Sequence, residues 1–387
     1  MAGKRRHEMS VNGIGELARS RSLEYLRSSR LRKSAILDEF VLATGVKRKT
    51  AIVLLRKPPP AKPRPRGRPT KRYGSDVSAA LEWFWATNGY LCSERLVPSL
   101  PLLIGLVESE GSWGFSESVK EKLLKISVST CERLLRTHKA KFRPSGQCMT
   151  RPGSLLKSQI PVRTWAEWIE TEPGYCEMDL VHHCDNDTHG EYIHTLTITD
   201  VLLGWTEIQA LKNRSERVVA GGVDSIRLRL PYPMKGLDSD CGGEFINHIL
   251  LRYCQEHRIL FTRGRPSKKN DQCHVEQKNR SVVRDNVGYD RYEGEEALRA
   301  LNAYYRALRT RVNFLQPSMI LTSKERVGAR VRRHYGVAMT PCQRVLEHPC
   351  VHQDIKERLK EQLETIKPAS LAKEILRLRE ELRKFAR

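Results

Sequence analysis

The sequence predicts a chain of several domains, all-helical at its N-terminus and mixed α/β in its centre, with a five-stranded mixed sheet flanked by helices and a helical tail. Three observations predict this. Apolar residues recur at helical spacing through residues 12–57 and 76–139; short β-rich runs bounded by turn residues begin near residue 165 and then alternate with helical stretches; and 387 residues exceed what one core usually organises.

Charge narrows the partners. Lys and Arg number 68 against 45 Asp and Glu, a net +23, and residues 1–75 alone carry 20 basic against 5 acidic side chains. A polyanion is the expected partner. An anionic membrane surface would use the same field, but neither a strongly amphipathic basic helix nor a lipidation motif accompanies it. The chain holds no run of about 18 apolar residues, and the start MAGKRRHEMS lacks the apolar stretch of a secretory signal. The 10 Cys are scattered singly, without a C-x-x-C pair, so a cytoplasmic, reducing location is expected.

Residues 1–57 read as a helical DNA-binding domain. Leu17, Tyr25 and Leu26, then Ile36, Leu37 and Phe40, then Ala51, Ile52 and Leu55 fall at helical spacing. The stretch SAILDEFVLATGVKRKTAIVLLRK has the shape of a helix-turn-helix. Gly45 sits where the turn needs positive φ, and Lys47, Arg48 and Lys49 open the next helix, where a recognition helix meets DNA. Residues 58–75 are a basic, Pro-rich linker that can neither propagate a helix nor bury a core. Within it, Arg66-Gly67-Arg68 flanked by prolines resembles an AT-hook, whose extended arginines enter a narrow A·T minor groove.

Residues 76–145 return to helical periodicity and read as a second helix-turn-helix domain, with a turn near Ile126–Ser127 and Ser129 as the expected cap. Trp83, Phe84 and Trp85 are expected in its core. From 165 to 325, three strand-like runs (GYCEMDLVHH, EYIHTLTITD, GWTEIQAL) joined by turns form an antiparallel meander. A helix near 215–229, a strand near 234–238, a helix over 244–257, a strand over 259–262, a basic loop and a helix over 274–287 follow. That order of elements is the order of a ribonuclease-H-like core.

Carboxylates fall where such a core collects them. Asp179 lies in the first strand, Asp240 just after the fourth, and Glu276 in the first turns of the helix after the basic loop. Hard divalent cations take oxygen ligands, and Mg²⁺ is held by a few carboxylates with the remaining positions left to water and phosphate. Two such ions about 3.5–4 Å apart activate an attacking hydroxyl and stabilise the leaving oxygen of a phosphoryl transfer. Alternation puts Asp238 beside Asp240 and Glu177 beside Asp179, so either member of each pair is a possible ligand. Asp200 at a hairpin turn and Glu244 in a helix's first turn suit local structural roles.

Three motifs carry a resemblance to the DDE transposases of bacterial insertion sequences, which share a catalytic core with retroviral integrases. They are Glu177-Met178-Asp179-Leu180-Val181, Asp238-Ser239-Asp240-Cys241-Gly242-Gly243-Glu244-Phe245, and the segment from Lys269 through Glu276 to Asn279. Asp240 and Glu276 are separated by 35 residues, the D,D(35)E spacing. The resemblance implies Asp179, Asp240 and Glu276 as the catalytic, metal-holding triad, with Mg²⁺ as cofactor and Mn²⁺ as substitute. It further implies double-stranded DNA (transposon ends and target) as partner, a homo-oligomeric synapse, and a nucleoid-associated place in a bacterial cytoplasm. Cys241 departs from the Asn most usual in that family, and Arg280 stands where an aromatic residue is common.

Helical geometry sets Glu276, Arg280 and Arg284 on one face, beside the strand to be cut, and Lys268, Lys269 and Lys278 are expected to add phosphate contacts. His182, His183, Cys184 and His189 match no standard zinc spacing. Residues 326–387 are read as a basic helical region, in which Leu371, Ile375, Leu378, Leu382 and Phe385 follow an a/d seam that suits either a coiled coil or packing on the chain's own core. The function expected is a transposase that binds terminal inverted repeats, cleaves DNA ends and transfers strands. Its alternative is a transposase-derived DNA-binding protein without catalysis.

Overall fold

The computed structural model describes residues 9–60, 73–139, 171–185, 187–265, 272–327 and 330–387. Two compact units divide the chain, Met1–Arg72 and Tyr73–Arg387. The first contains α1 (Val11–Arg27), α2 (Arg30–Thr44) and α3 (Arg48–Arg56). The Ser10 hydroxyl accepts the Gly13 N–H at 3.1 Å and so starts α1. Gly45 ends α2 at φ +67°, where a side chain would be strained. Ala18, Ile36, Phe40, Ala51 and Leu55 close a small core, and the Ser22 hydroxyl donates into it, to Leu55 O at 2.7 Å.

The second unit opens with α4 (Ser75–Thr87), α5 (Ser93–Ser109), α6 (Glu117–Leu124) and α7 (Val128–Lys139). Because α7 begins at Val128, the cap falls to Ser127 and not Ser129: the Ser127 hydroxyl accepts the Thr130 N–H at 3.3 Å. These helices share a continuous apolar core with the sheet, Phe84, Leu96 and Leu100 joining Phe314 and Leu315. Asn88 Nδ2 donates to Leu315 O at 2.9 Å, so α4–α7 are built onto the α/β unit instead of standing apart. The sequence-drawn boundaries at 145 and 165 lie outside the described residues.

The sheet comprises β1 (Tyr175–His182), β2 (His194–Asp200), β3 (Thr206–Leu211), β4 (Gly236–Ser239) and β5 (Leu260–Arg263), in spatial order β3-β2-β1-β4-β5. The first three are antiparallel neighbours, while β4 pairs parallel to β1 and β5 parallel to β4. This is the predicted ribonuclease-H-like arrangement. Crossovers are made by α8 (Glu216–Arg227) and α9 (His248–Glu256). Helix α9 starts four residues beyond Glu244, because Asn247 caps it by accepting the Leu250 N–H at 2.9 Å. Glu244 therefore sits in the preceding turn and not in a helical first turn.

Alternation in β1 separates two layers. Cys176, Met178 and Leu180 face the core beneath α8 and α9. Glu177, Asp179 and Val181 face the opposite side, where α10 (Cys273–Lys278), a π-helical turn (Asn279–Arg284), α11 (Asp285–Val287) and α12 (Gly294–Thr310) lie. A second π-helical turn, Arg311–Leu315, ends α12.

Past residue 320 the structure corrects the all-helical reading. Residues 321–335 form an antiparallel hairpin, β6 (Leu321–Val327) and β7 (Arg330–Tyr335), ahead of α13 (Pro341–Glu347), α14 (Gln353–Thr365) and α15 (Pro368–Arg383). Most of its described side chains are exposed, as in a solvent-facing strand pair. The seam of α15 is filled from within: Ile375, Leu378 and Leu382 pack against Leu301, Tyr304, Tyr305 and Leu308 of α12. Glu110 caps α15, accepting the N–H groups of Ala369 and Ser370 at 2.9 Å each. No described helix is long and apolar enough to cross a membrane.

Candidate active site

The parallel register of β1 and β4 sets Glu177 opposite Asp238. One pleat further on, Asp179 stands near Asp240, which follows the last residue of β4. The result is two pairs of carboxylates, an inner pair that is fully buried and an outer pair that is half-buried. The inner pair is structurally committed. Glu177 Oε2 accepts the N–H groups of His274 and Val275 at 2.9 Å each, at the first turn of α10. Asp238 accepts the Thr262 hydroxyl at 2.5 Å and Gln272 Nε2 at 3.4 Å. Asp200 is likewise local in role, accepting the Gly174 and Leu203 N–H groups at 2.7 and 2.6 Å.

Anchoring α10 on Glu177 brings Glu276 toward the outer pair from the third element. Val275 is buried beneath the helix, whereas Glu276 is exposed. Asn279, one turn on, donates from Nδ2 to Asp179 Oδ2 at 2.6 Å. The Leu180 N–H donates to Asp179 Oδ1 and the Gly242 N–H to Asp240 Oδ1, at 2.7 and 2.8 Å.

The electrostatics follow from this crowding. Burial, then the charge of Asp240, pushes the Asp179 carboxyl up to about 8, with Glu276 and Glu244 adding to the repulsion. Burial and the neighbouring Asp238 push Glu177 up to about 8 as well, against the two N–H groups that favour its charged form. Asp240 and Glu244 are raised by burial. Carboxylates that disfavour one another's charge are the oxygen donors a hard dication would relieve. Among the described residues, no group of three His, Cys, Asp or Glu side chains is set closely enough to hold a metal ion as it stands.

The remaining sequence-selected residues divide. Lys47, Arg48 and Lys49 are exposed at the start of α3, and Arg48 is drawn to α2, pairing with Asp38 and donating to Ser34 Oγ at 2.8 Å. Arg66, Arg68, Lys268 and Lys269 lie outside the described residues. Arg280 is exposed. Lys278 lines a cavity, and burial and the charges of Arg95 and Arg344 push its ammonium down to about 7. Arg284 does not share the Glu276 face. The π-helical turn adds a residue to the repeat, and its guanidinium donates to His182 O at 2.8 Å and lies 4.7 Å from the Tyr289 ring centroid.

Two contributors escaped the sequence reading. Asn279 stands inside a motif that gives no sign of its own task, although its place three residues after Glu276 puts it on the same helical face. Glu177 showed its position but not its task, since a helix cap supplied by a strand 98 residues away leaves no local signal.

A mixed five-stranded sheet with carboxylates gathered from β1, the end of β4 and α10 defines a ribonuclease-H-like α/β protein. The chain is 37% identical over 320 residues to the uncharacterized protein y4rM of Sinorhizobium fredii, spanning 83% of this chain and 91% of that protein, and it belongs to the same family. No protein-family model matches the sequence. Among solved structures, the chain is similar to the catalytic core domain of BIV integrase, with 21% identity and a TM-score of 0.26 over 36% of this chain and 83% of that one. It is also similar to a simian T-cell lymphotropic virus intasome in complex with PP2A regulatory subunit B56 gamma, with 14% identity and a TM-score of 0.28 over 43% and 54% of the two chains. The fold assignment rests on strand order and register.

Proposed function

We propose that this chain is a DNA transposase of the DDE type. The observation that carries the reading is that Asp240, just past β4, and Glu276, in α10, both lie near enough to Asp179 of β1 for their charges to raise its carboxyl. In this reading the three carboxylates hold Mg²⁺, or Mn²⁺ in its place. The metal, when bound, activates a hydroxyl and stabilises the leaving oxygen of a phosphodiester. Water as nucleophile frees a 3′-hydroxyl at the element's end; that hydroxyl then attacks target DNA, exchanging one phosphodiester for another.

The chain's own residues supply position. Glu177 fixes where α10 begins, Asn279 orients Asp179, and Arg280 is exposed to meet the phosphate backbone. Lys47 and Lys49 give the N-terminal helical unit a cationic edge for the terminal repeats, and synapsis of two ends calls for more than one copy of the chain.

The test is nicking of labelled linear DNA carrying the element's terminal repeats, with Mg²⁺ or Mn²⁺, by wild type and Glu276→Gln. Metal-dependent nicking at the repeat ends, lost in the variant while repeat binding survives, is the expected result. Specific binding with no cleavage by wild type under either metal would instead establish a DNA-binding protein without catalysis.

A further inference from the structure

Lys278 enters a cavity of about 610 Å³ within the second unit, walled by α4, α5, the two π-helical turns and α15. Six cationic side chains line it: Arg95, Lys278, Arg280, Arg311, Lys373 and Arg379. One carboxylate, Asp285, accompanies them. Arg280 and Lys373 are exposed, but Arg95, Lys278, Arg311 and Arg379 are partly or wholly withdrawn from water; concentrating like charge there opposes folding unless something offsets it, because ions that lose solvation repel more strongly.

The offset inside the protein is incomplete. Arg311 is only 6% exposed; its Nη2 donates to Asn286 Oδ1 at 2.6 Å, but its Nε has no hydrogen-bond partner among the described residues. Arg379 Nε and the fully buried Tyr304 hydroxyl are also without partners there. Burial holds the Arg95 and Arg311 guanidinium groups below their usual range, and the charge of Arg379 adds to the effect on Arg311. Buried donors left unsatisfied mark a place where an acceptor is missing.

The rest of the wall is of a different character. Trp83, Tyr90, Leu91, Val312 and Leu376 give it an aromatic and aliphatic side. The volume lies within the roughly 300–1,000 Å³ typical of small-molecule sites. One phosphate monoester brings about two negative charges, too few for Arg95, Arg311, Arg379 and Lys373 beside one carboxylate, so adjoining phosphoryl groups match the lining better.

We infer that this cavity binds a small molecule with two or more linked phosphoryl groups and an aromatic body, of the nucleoside polyphosphate class. The phosphoryl groups meet Arg95, Arg311 and Arg379, and the ring meets the apolar wall. A ligand there also touches Lys278 and Ser281, so it braces the helix that carries Glu276. The inference does not depend on the DNA chemistry proposed above.

The test is calorimetric titration of the full chain, free of DNA, with ATP, tripolyphosphate and adenosine. Wild type is expected to bind ATP saturably at one site, with Kd at or below about 100 μM, tripolyphosphate more weakly, and adenosine not at all. Arg379→Gln and the exposed Lys373→Gln are each expected to weaken ATP about tenfold, as loss of one charge-assisted contact should. Lys360→Gln, an exposed change on α14 away from the cavity lining, is expected to leave binding intact. The inference is overturned by an absence of saturable ATP binding, by cavity variants that bind like wild type, or by an equal loss in Lys360→Gln. A short DNA duplex that displaces ATP, and whose own binding falls in the same two variants, would assign these cations to DNA and overturn it too.

Discussion

Asn279 Nδ2 donates to Asp179 Oδ2 at 2.6 Å, tying the central strand to the helix that carries Glu276. The contact constrains a carboxylate that already resists ionisation. Removing it with Asn279→Ala is expected to raise the Mg²⁺ concentration needed for half-maximal nicking by about 10–100-fold, the usual cost of losing a partner that orients a metal ligand. Thermal stability is expected to change little. A Mg²⁺ titration of nicking, run beside a melting curve, checks both; an unchanged metal requirement would remove Asn279 from the site.

Glu177 makes stability depend on pH. Its carboxyl is raised to about 8, so between about 4.5 and 8 the native state holds a proton that the unfolded chain has lost, and stability falls as pH rises through that window. Other groups act oppositely. His182 and His274, lowered to about 4, make stability rise up to about pH 6.5, and Lys278, lowered to about 7, makes it rise above that. Comparison of wild type with Glu177→Gln isolates the carboxyl. Urea unfolding in chelator at pH 6.5, 7.25 and 8 is expected to show a steeper decline in wild type, by up to about 1.4 kcal/mol per pH unit. Parallel slopes would contradict the assignment.

Glu207 is fully buried in β3, where it accepts Trp205 Nε1 at 2.9 Å and Arg309 Nε at 2.7 Å. Removing only the acid strands the guanidinium groups of Arg309 and Arg229, so Glu207→Met is expected to cost about 3–5 kcal/mol. Replacing Glu207 and Arg309 together by methionine should cost less than the two single losses combined. Chemical denaturation of the four-member cycle measures the coupling.

Two adjacent glycines of α8 should respond with opposite sign. A Cβ on Gly221 meets nothing within 4 Å, so Gly221→Ala is expected to stabilise by about 0.5–1 kcal/mol through helix propensity. A Cβ on Gly222 would lie 2.8 Å from Leu211 Cδ2 and 3.1 Å from Leu196 Cδ2, both in the buried core. Overpacking of about 1–3 kcal/mol then outweighs the same propensity gain, and Gly222→Ala is expected to destabilise. Melting temperatures of the two variants give the signs directly.

How far the sequence reaches is visible in particular elements. Strands β1–β5 and the flanking helices were legible because period-2 and period-3.6 patterns survive even where both faces of a strand are covered, as in β2. Spacing and resemblance selected Asp179, Asp240 and Glu276, but not what holds them. Glu177 caps a helix far along the chain, and long-range partners leave no periodic trace. Arg284 leaves the face expected of it because an α-helical wheel has no way to anticipate a π-helical turn. Ser129 and Glu244 miss their expected places by the few residues that separate a helix's polar approach from its first turn. The β6–β7 hairpin escaped because its basic side chains outnumber the apolar ones that usually announce a strand.

Strand order also governs when this site can exist during synthesis. β1, β2 and β3 are consecutive and pair by short connections, so a nascent chain can form the meander early. The partner of β1 on its other side comes later in the chain, and the bond from Val275 N to Glu177 spans 98 residues. Closing such loops is slow relative to hairpin formation. Until residue 276 has left the ribosome, the carboxylates of β1 have no third partner, and a chain stopped short of it would carry most of the sheet but no complete cluster.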